Sequence, residues 1–297
     1  MEQYRSGFVT ICGCPNVGKS TLLNKLIGQK IAIVSDRAQT TRNKITGVLT
    51  RKDYQIVFLD TPGVTGARNK LGDYMQKAVS DALTEVEAIL LVLDPTSGIR
   101  ERDTALMQRL SKAKAPVIVL VNKCDIASEK QIEEAKAAVN ASGLPAYRIL
   151  IGSGETGEGL DELEKMFSSL LVPGPQYYPE EMVTDQPERI ICGEMIREKA
   201  LLMLREEIPH GIGVNIDKME LRPDGSLMDI YATVYCERES HKGIIIGKGG
   251  SMLKRIGAEA RHDMEWMLGT RVNLQIFIKV KEDWRNKTSV LKELGYE

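Results

Sequence analysis

Short apolar runs recur through the first half of the chain, at Phe8 to Cys12, Gln55 to Leu59, Ala88 to Leu93, Val117 to Val121 and Tyr147 to Ile151. Between them, stretches beginning after Lys19, Arg100, Ser128 and Gly159 carry apolar residues at every third or fourth position. Continuous apolar runs of strand length, alternating with amphipathic helices, predict a mostly parallel sheet covered on both faces. The last of these helices (GLDELEKMFSSLL) stops just before Pro173.

There the pattern fails. From Val172 to Arg189 no apolar period survives, and Pro173, Gly174, Pro175, Pro179 and Pro187 crowd together, which reads as a linker. Beyond it the order of elements changes. A long amphipathic helix (Ile190 to Ile208) leads to a strand (Gly213 to Arg222), and a turn at Pro223 to Gly225 opens a second strand, Leu227 to Cys236. A glycine-rich break at Gly247 to Gly250 separates short helical pieces, and Arg271 to Val280 alternates like a half-exposed strand. Helix, strand, strand, helix, helix, strand is α+β and does not continue the first domain. The expected organisation is an α/β domain over residues 1–172, a linker over 173–188 and an α+β domain over 189–297. There is no internal repeat and no low-complexity tract.

Composition narrows the class. With 297 residues, 42% hydrophobic and 27% charged, the chain has room for two globular domains. A net charge of -1 gives no global attraction to nucleic acid, so an RNA-binding surface must be a local patch. Cys12, Cys14, Cys124, Cys192 and Cys236 are odd in number and irregular in spacing, which fits neither a zinc site nor a secreted disulfide framework. The N-terminus shows no leader, and the apolar runs fall short of the ~20 residues that span a bilayer. A soluble, cytoplasmic protein is expected.

Candidate chemistry starts at Gly13-Cys14-Pro15-Asn16-Val17-Gly18-Lys19-Ser20, a phosphate-binding loop between an apolar strand and a helix, followed by Thr21. Its glycines let backbone N–H groups turn toward phosphates at a helix N-terminus. Lys19 can reach the β- and γ-phosphates, and Ser20 can ligate Mg²⁺. Asn122-Lys123-Cys124-Asp125 ends the fourth apolar run and selects the base: a carboxylate at Asp125 pairs with N1–H and N2–H₂ of guanine, and adenine offers no such pair. Asp60-Thr61-Pro62-Gly63 ends the second run, with Asp60 toward Mg²⁺ and the Gly63 N–H toward the γ-phosphate. A threonine of Thr40-Thr41-Arg42 can bind Mg²⁺ only while the γ-phosphate is present; the two are not separable by sequence, and Thr41 is preferred. Ser153-Gly154-Glu155 follows the fifth run, where a backbone N–H can meet guanine O6. Lys19, Thr41 and Gly63 are therefore the expected catalytic contacts. Val64 stands where Ras-like proteins carry a water-orienting glutamine, so hydrolysis must rest on positioning and charge. Cys14 beside the phosphates reads as a small buried residue or a redox handle, with the first preferred.

In the second domain, Gly247-Lys248-Gly249-Gly250 has the form of the Gly-x-x-Gly loop with which KH domains clamp about four single-stranded nucleotides. Lys248 would meet phosphate, Ile244, Ile245 and Ile246 are candidates for an apolar groove, and Lys254, Arg255 and Arg261 follow. The two preceding strands and the closing one fit the type II KH order.

The first-domain motifs resemble the translation-factor-like GTPases, over roughly residues 7–171. They are closest to the group that pairs Gly-x-Pro-Asn-x-Gly-Lys-Ser with Asp-Thr-Pro-Gly. Gly154 departs from the alanine usual there. With the KH-like domain added, the whole chain resembles the Era family of bacterial GTPases. The resemblance implies GTP/GDP and Mg²⁺, and a potassium ion held by Asn16, which could equally serve local loop hydrogen bonds. It also implies binding to the 3′ end of small-subunit ribosomal RNA, a part in small-subunit assembly, and loose peripheral membrane association. A monomer is expected. Two other classes compete: an RNA-binding scaffold with a structural nucleotide and negligible turnover, and a metabolic phosphotransferase, which the guanine motif disfavours.

Overall fold

Every apolar run of the first half becomes a strand of one sheet in the computed structural model, which describes residues 3–35, 40–63, 69–205 and 208–296. The strands are β1 (Arg5–Cys12), β2 (Ile45–Thr50), β3 (Tyr54–Asp60), β4 (Ala88–Leu93), β5 (Val117–Val121), β6 (Ala146–Ile151) and the short β7 (Val172–Pro173). Their order is β2-β3-β1-β4-β5-β6, with β7 on β1. All pairings along that path are parallel except β2 on β3, and β7 is antiparallel to β1. Interleaved helices are α1 (Lys19–Ile27), α2 (Lys70–Ala82), α3 (Glu101–Leu110), α4 (Glu129–Ala141) and α5 (Leu160–Leu170).

The core explains why the runs are unbroken. Along β4, Leu90 and Val92 pack with α1 and α5 residues such as Leu22 and Phe167, whereas Ile89, Leu91 and Leu93 pack with Leu106 and Leu110 of α3. Side chains alternate across a strand, so a sheet buried on both faces needs apolar residues at every position. Two elements escaped the sequence pattern. β2 is buried although Gly47 and two threonines dilute it, because a Cβ at Gly47 would lie 2.7 Å from Leu23 Cδ1 and its absence lets α1 close down. α2 buries a stripe only one residue wide, Leu71, Met75, Val79 and Ala82, in an otherwise polar helix.

By contact, the chain divides into two compact units near Asp185 and Gln186. The first holds residues 3–32, 41–63 and 75–185; the second holds 186–205 and 208–296 with residues 33–35, 40 and 69–74. The proline-rich stretch read as a linker is fastened to the first unit. Gln55, fully buried, accepts from the Tyr177 and Tyr178 N–H groups (2.8 and 3.0 Å) and donates to Tyr178 O (2.9 Å). Further on, Val48 N donates to Val183 O at 2.8 Å, which covers the edge of β2.

In the second unit α6 (Glu188–Met203) precedes β8 (Gly213–Leu221), β9 (Leu227–Cys236), α7 (Glu239–Ile246), α8 (Ser251–Leu268), β10 (Arg271–Val280) and α9 (Thr288–Glu293). The sheet order is β10-β9-β8, with β9 parallel to β10 and antiparallel to β8. α6 stops five residues before Ile208, where Leu204 turns to extended backbone (φ -89°, ψ 159°). It buries two charged side chains, and each has partners, as burial requires: Arg197 pairs with Glu194, and Glu198 accepts from Val34 N at 2.7 Å and meets Lys199, which bridges to Asp263 of α8 at 2.6 Å.

Candidate functional site

β1 ends at Cys12 and α1 begins at Lys19, so the intervening loop wraps the start of a helix whose first N–H groups have no partner within it. Gly18 sits at φ 95°, and a Cβ there would lie 2.4 Å from Asn122 Nδ2, so no larger residue fits. The Lys19 side chain is buried along the loop, its Nζ donating to Gly13 O (3.1 Å) and Cys14 O (3.0 Å). Burial lowers its pKa, and nearby Asp60 opposes that shift.

Three oxygens converge at the next residue, Ser20. Ser20 Oγ lies 2.8 Å from Thr41 Oγ1 and donates to Asp60 Oδ2 at 3.0 Å. Asp60 is wholly buried, and its Oδ1 finds no hydrogen-bond partner among the described residues. Burial pushes this carboxyl up to about 6, against the pull of Lys19 and Ser20. An orphaned carboxylate oxygen beside two hydroxyls is a hard-oxygen set of the kind Mg²⁺ takes, usually with waters and phosphate oxygens completing the shell. The residues therefore fit the ion. Thr40 instead donates its hydroxyl to Ser35 O at 3.3 Å. Thr61 is fixed to β1 through its hydroxyl (3.0 Å to Ile11 O), Thr21 lies half-buried in α1, and Gly63 passes so close to Pro15 that a Cβ would lie 3.0 Å from that ring. Val64 lies outside the described residues.

At the other end of the loop Asn122 acts as a strut. Its Nδ2 donates to Val17 O (2.8 Å), and its Oδ1 accepts from Gly154 N (2.9 Å), so one side chain ties two loops together. The Gly154 N–H, a candidate for guanine from its place in the sequence, is spent on that bond. Ser153 is buried, its Oγ accepting from Glu155 N and Thr156 N (3.2 and 3.1 Å). A Cβ on Gly154 would stand 3.0 Å from the Leu22 backbone, so glycine allows an approach that alanine would strain. Asp125 is exposed at the rim, open to a base edge.

Two partners were not singled out in the sequence. Asp94 receives Lys123 Nζ at 2.7 Å, and the same ammonium donates to Asn16 O at 2.9 Å, clamping the rim of the phosphate loop. Burial would raise the Asp94 pKa, but Lys123 and Thr96 hold it below the usual range. Burial, with the buried Asp103 carboxylate nearby, pushes the Cys14 thiol up to about 12. An aspartate directly after a buried strand was the available signal for Asp94.

In the second unit Gly247, Gly249 and Gly250 all adopt positive φ (73°, 59° and 79°), and a Cβ on Gly249 or Gly250 would meet nothing within 4 Å. The loop thus presents bare backbone to the outside, beside the exposed Lys248. It opens onto a groove of about 470 Å³ between α8 and β10, floored by Leu253, Gly257 and Ile276 and rimmed by Lys254, Arg261 and Asn273. The three isoleucines are not its walls. Successive helix residues point about 100° apart, so α7 buries Ile245 in the core and turns Ile244 outward, 50% exposed. Ile246 and Arg255 also lie outside the groove lining. Among the described residues no helix is long and apolar enough to cross a membrane.

The chain matches family models at both ends: "50S ribosome-binding GTPase" over residues 8–123 and "KH domain" over residues 207–285. It is 50% identical to GTPase Era of Alkaliphilus metalliredigens and 47% identical to GTPase Era of Clostridioides difficile, each match covering 99% of both chains. Among solved structures it is similar to Era in complex with Mg-GDPNP and nucleotides 1506–1542 of 16S ribosomal RNA (TM-score 0.94, 38% identity, 99% of both chains). It is also similar to an Aquifex aeolicus Era variant bound to GDP and AlF4⁻ (TM-score 0.93, 38% identity, 98% of this chain and 99% of that one).

Proposed function

The chain belongs to the Era family of GTPases, and from that premise we propose that its GTP cycle governs its hold on single-stranded RNA at the 3′ end of the small-subunit ribosomal RNA, in service of small-subunit assembly. It is a GTP-hydrolysing enzyme with a P-loop GTPase domain and a C-terminal KH domain. One observation carries the RNA half: a positive-φ glycine loop opens onto a groove with an apolar floor and a basic rim. That form suits backbone clamping of unpaired nucleotides, with bases lodged in the groove. The similar Era bound to a 16S fragment supports the choice of RNA.

At the nucleotide site the loop N–H groups and the α1 N-terminus receive the phosphates, and Lys19, fastened along the loop by Gly13 O and Cys14 O, brings a charge that the Asp60 carboxylate supports against the cost of burial. Ser20, Thr41 and Asp60 would hold Mg²⁺, which would supply positive charge against the phosphates. Thr41 is assigned over Thr40 because its hydroxyl already lies within the cluster. Asp125 reads guanine, while Asn122, Lys123 and Asp94 hold its loop against the P-loop. Asn16, exposed at the rim, is assigned a potassium ion, a second positive charge near the phosphates. Replacing K⁺ with Na⁺ should then slow turnover; equal rates would remove the potassium assignment alone.

The RNA reading is tested by crosslinking the protein to small-subunit RNA with nucleotide-resolution mapping. Contacts should fall in an unpaired 3′-terminal stretch and be lost in Lys248→Asp. Crosslinks scattered over the RNA, or unchanged by Lys248→Asp, would overturn it.

A further inference from the structure

α6 buries Arg197 and Glu198, 0% and 2% exposed, and among the described residues no other charged side chain of the second unit is buried. Stability alone does not call for them. A buried ion pair gains little over well-packed apolar residues, and a buried charge short of partners is costly. Their partners give the reason for keeping them.

Both side chains reach one stretch of chain. Arg197 Nη2 donates to Thr40 O, while its Nε donates to Glu194 Oε1 at 2.8 Å and fixes the guanidinium. Glu198 Oε1 accepts from Val34 N at 2.7 Å, and Lys199, itself bridged to Asp263, steadies that carboxylate. The Thr40 hydroxyl donates to Ser35 O at 3.3 Å, so the two ends of the stretch are also tied to each other. One backbone N–H and one backbone carbonyl are gripped, which fixes where the chain runs.

The residue after Thr40 is Thr41, whose hydroxyl lies 2.8 Å from Ser20 Oγ in the oxygen cluster with Asp60. The chain passes from the second unit to the first at this peptide bond. Because a peptide unit is planar, the plane that carries Thr40 O also carries the N and Cα of Thr41. Holding that carbonyl therefore orients the threonine. Residues 69–74, also in the second unit, are held more loosely: Lys70 N to Asn286 Oδ1 (3.2 Å) and Lys70 Nζ to Thr288 Oγ1 (3.1 Å) are exposed bonds that water can replace.

We propose that Arg197 and Glu198 are positioning residues for GTP hydrolysis, holding the Thr40–Thr41 peptide so that the Thr41 hydroxyl stands ready for Mg²⁺, a role that rests on Thr41 being a metal ligand. Both act through backbone, one step behind that ligand. Removing such outer support typically costs ~10- to 100-fold in metal affinity or activity.

The test uses the full-length protein and fluorescence binding of a mant-labelled, non-hydrolysable GTP analogue across a Mg²⁺ series, with hydrolysis measured alongside. Arg197→Met and Glu198→Met should raise the Mg²⁺ needed for half-maximal binding and for half-maximal hydrolysis by roughly 10-fold. Glu198→Gln keeps an acceptor for Val34 N and should stay near the parent. Affinity for mant-GDP, which lacks the γ-phosphate that Thr41 waits for, should hold in all three. Urea unfolding followed by Trp266 and Trp284 emission shows whether the second unit is folded. If Arg197→Met does not fold, the Glu198 pair decides, and equal behaviour of Glu198→Met and Glu198→Gln overturns the role. Thr41→Ala is run beside them. A Mg²⁺ requirement raised in Thr41→Ala but unchanged in Arg197→Met and Glu198→Met overturns the positioning role alone. One unchanged in Thr41→Ala removes the metal reading, and the role with it. Adding Arg197→Met to Thr41→Ala should change nothing further, since the ligand is already gone; a second full loss would overturn the role, as would mant-GDP affinity falling in step with that for the analogue.

Discussion

Asn122→Ala removes a side chain that contacts no nucleotide in the account given above, yet it should damage nucleotide binding. Two bonds vanish, Asn122 Nδ2 to Val17 O (2.8 Å) and Gly154 N to Asn122 Oδ1 (2.9 Å). Asn122 is 2% exposed, so water reaches the orphaned groups poorly. Each buried polar group left without its partner costs about 1–3 kcal/mol, so the pair amounts to about 2–6 kcal/mol. Because both bonds hold loops that flank the nucleotide, half or more of this should appear in affinity, a loss of roughly 10- to 100-fold at about 1.4 kcal/mol per decade. A fluorescent mant-GDP titration reads that loss. Both tryptophans, Trp266 and Trp284, lie in the second unit, so urea unfolding followed by their emission reports that unit alone and should not move. Asn122→Asp keeps an acceptor for Gly154 N but turns a second acceptor toward Val17 O, and it should be no better than alanine. A change in mant-GDP affinity below ~3-fold in Asn122→Ala would refute the strut.

Thr41→Ala should raise the Mg²⁺ concentration needed for half-maximal hydrolysis at least ~10-fold, about 1.4 kcal/mol, and Thr40→Ala should barely change it; the opposite order would reverse the assignment. Asp125→Asn exchanges an acceptor for an amide, so competition binding should show preference moving from guanine toward xanthine nucleotides; unchanged GTP affinity with no gain for XTP removes Asp125 from the base site. Lys248→Ala should flatten the salt slope of single-stranded RNA binding by roughly 0.7, with GTP affinity unchanged; an unaltered slope would move the RNA elsewhere on the domain.

Sequence and structure agree where a residue's role follows from its place on the chain. The strand runs were legible because a sheet buried on both faces imposes apolar residues at every position. The phosphate loop was legible because its chemistry is backbone chemistry and needs glycines at fixed intervals. β2 and α2 were not, since Gly47 contributes by what it lacks and the α2 stripe is too thin to stand out. The three isoleucines of α7 could not be told apart in the sequence for a geometric reason: consecutive helix residues do not share a face, and hydropathy alone does not say which one the core takes. The Lys123–Asp94 clamp joins residues far apart in sequence, and no local pattern announces it.

The central claim is that one chain links its GTP cycle to its grip on unpaired RNA. Single-stranded RNA affinity measured with a non-hydrolysable GTP analogue and then with GDP, in the same Mg²⁺ buffer, tests it most directly. Linkage requires any difference to be reciprocal, so RNA must shift the GTP-to-GDP preference by the same factor. The account predicts a difference of about 5-fold or more that disappears in Lys248→Asp. Equal RNA affinities in the two nucleotide states would contradict it.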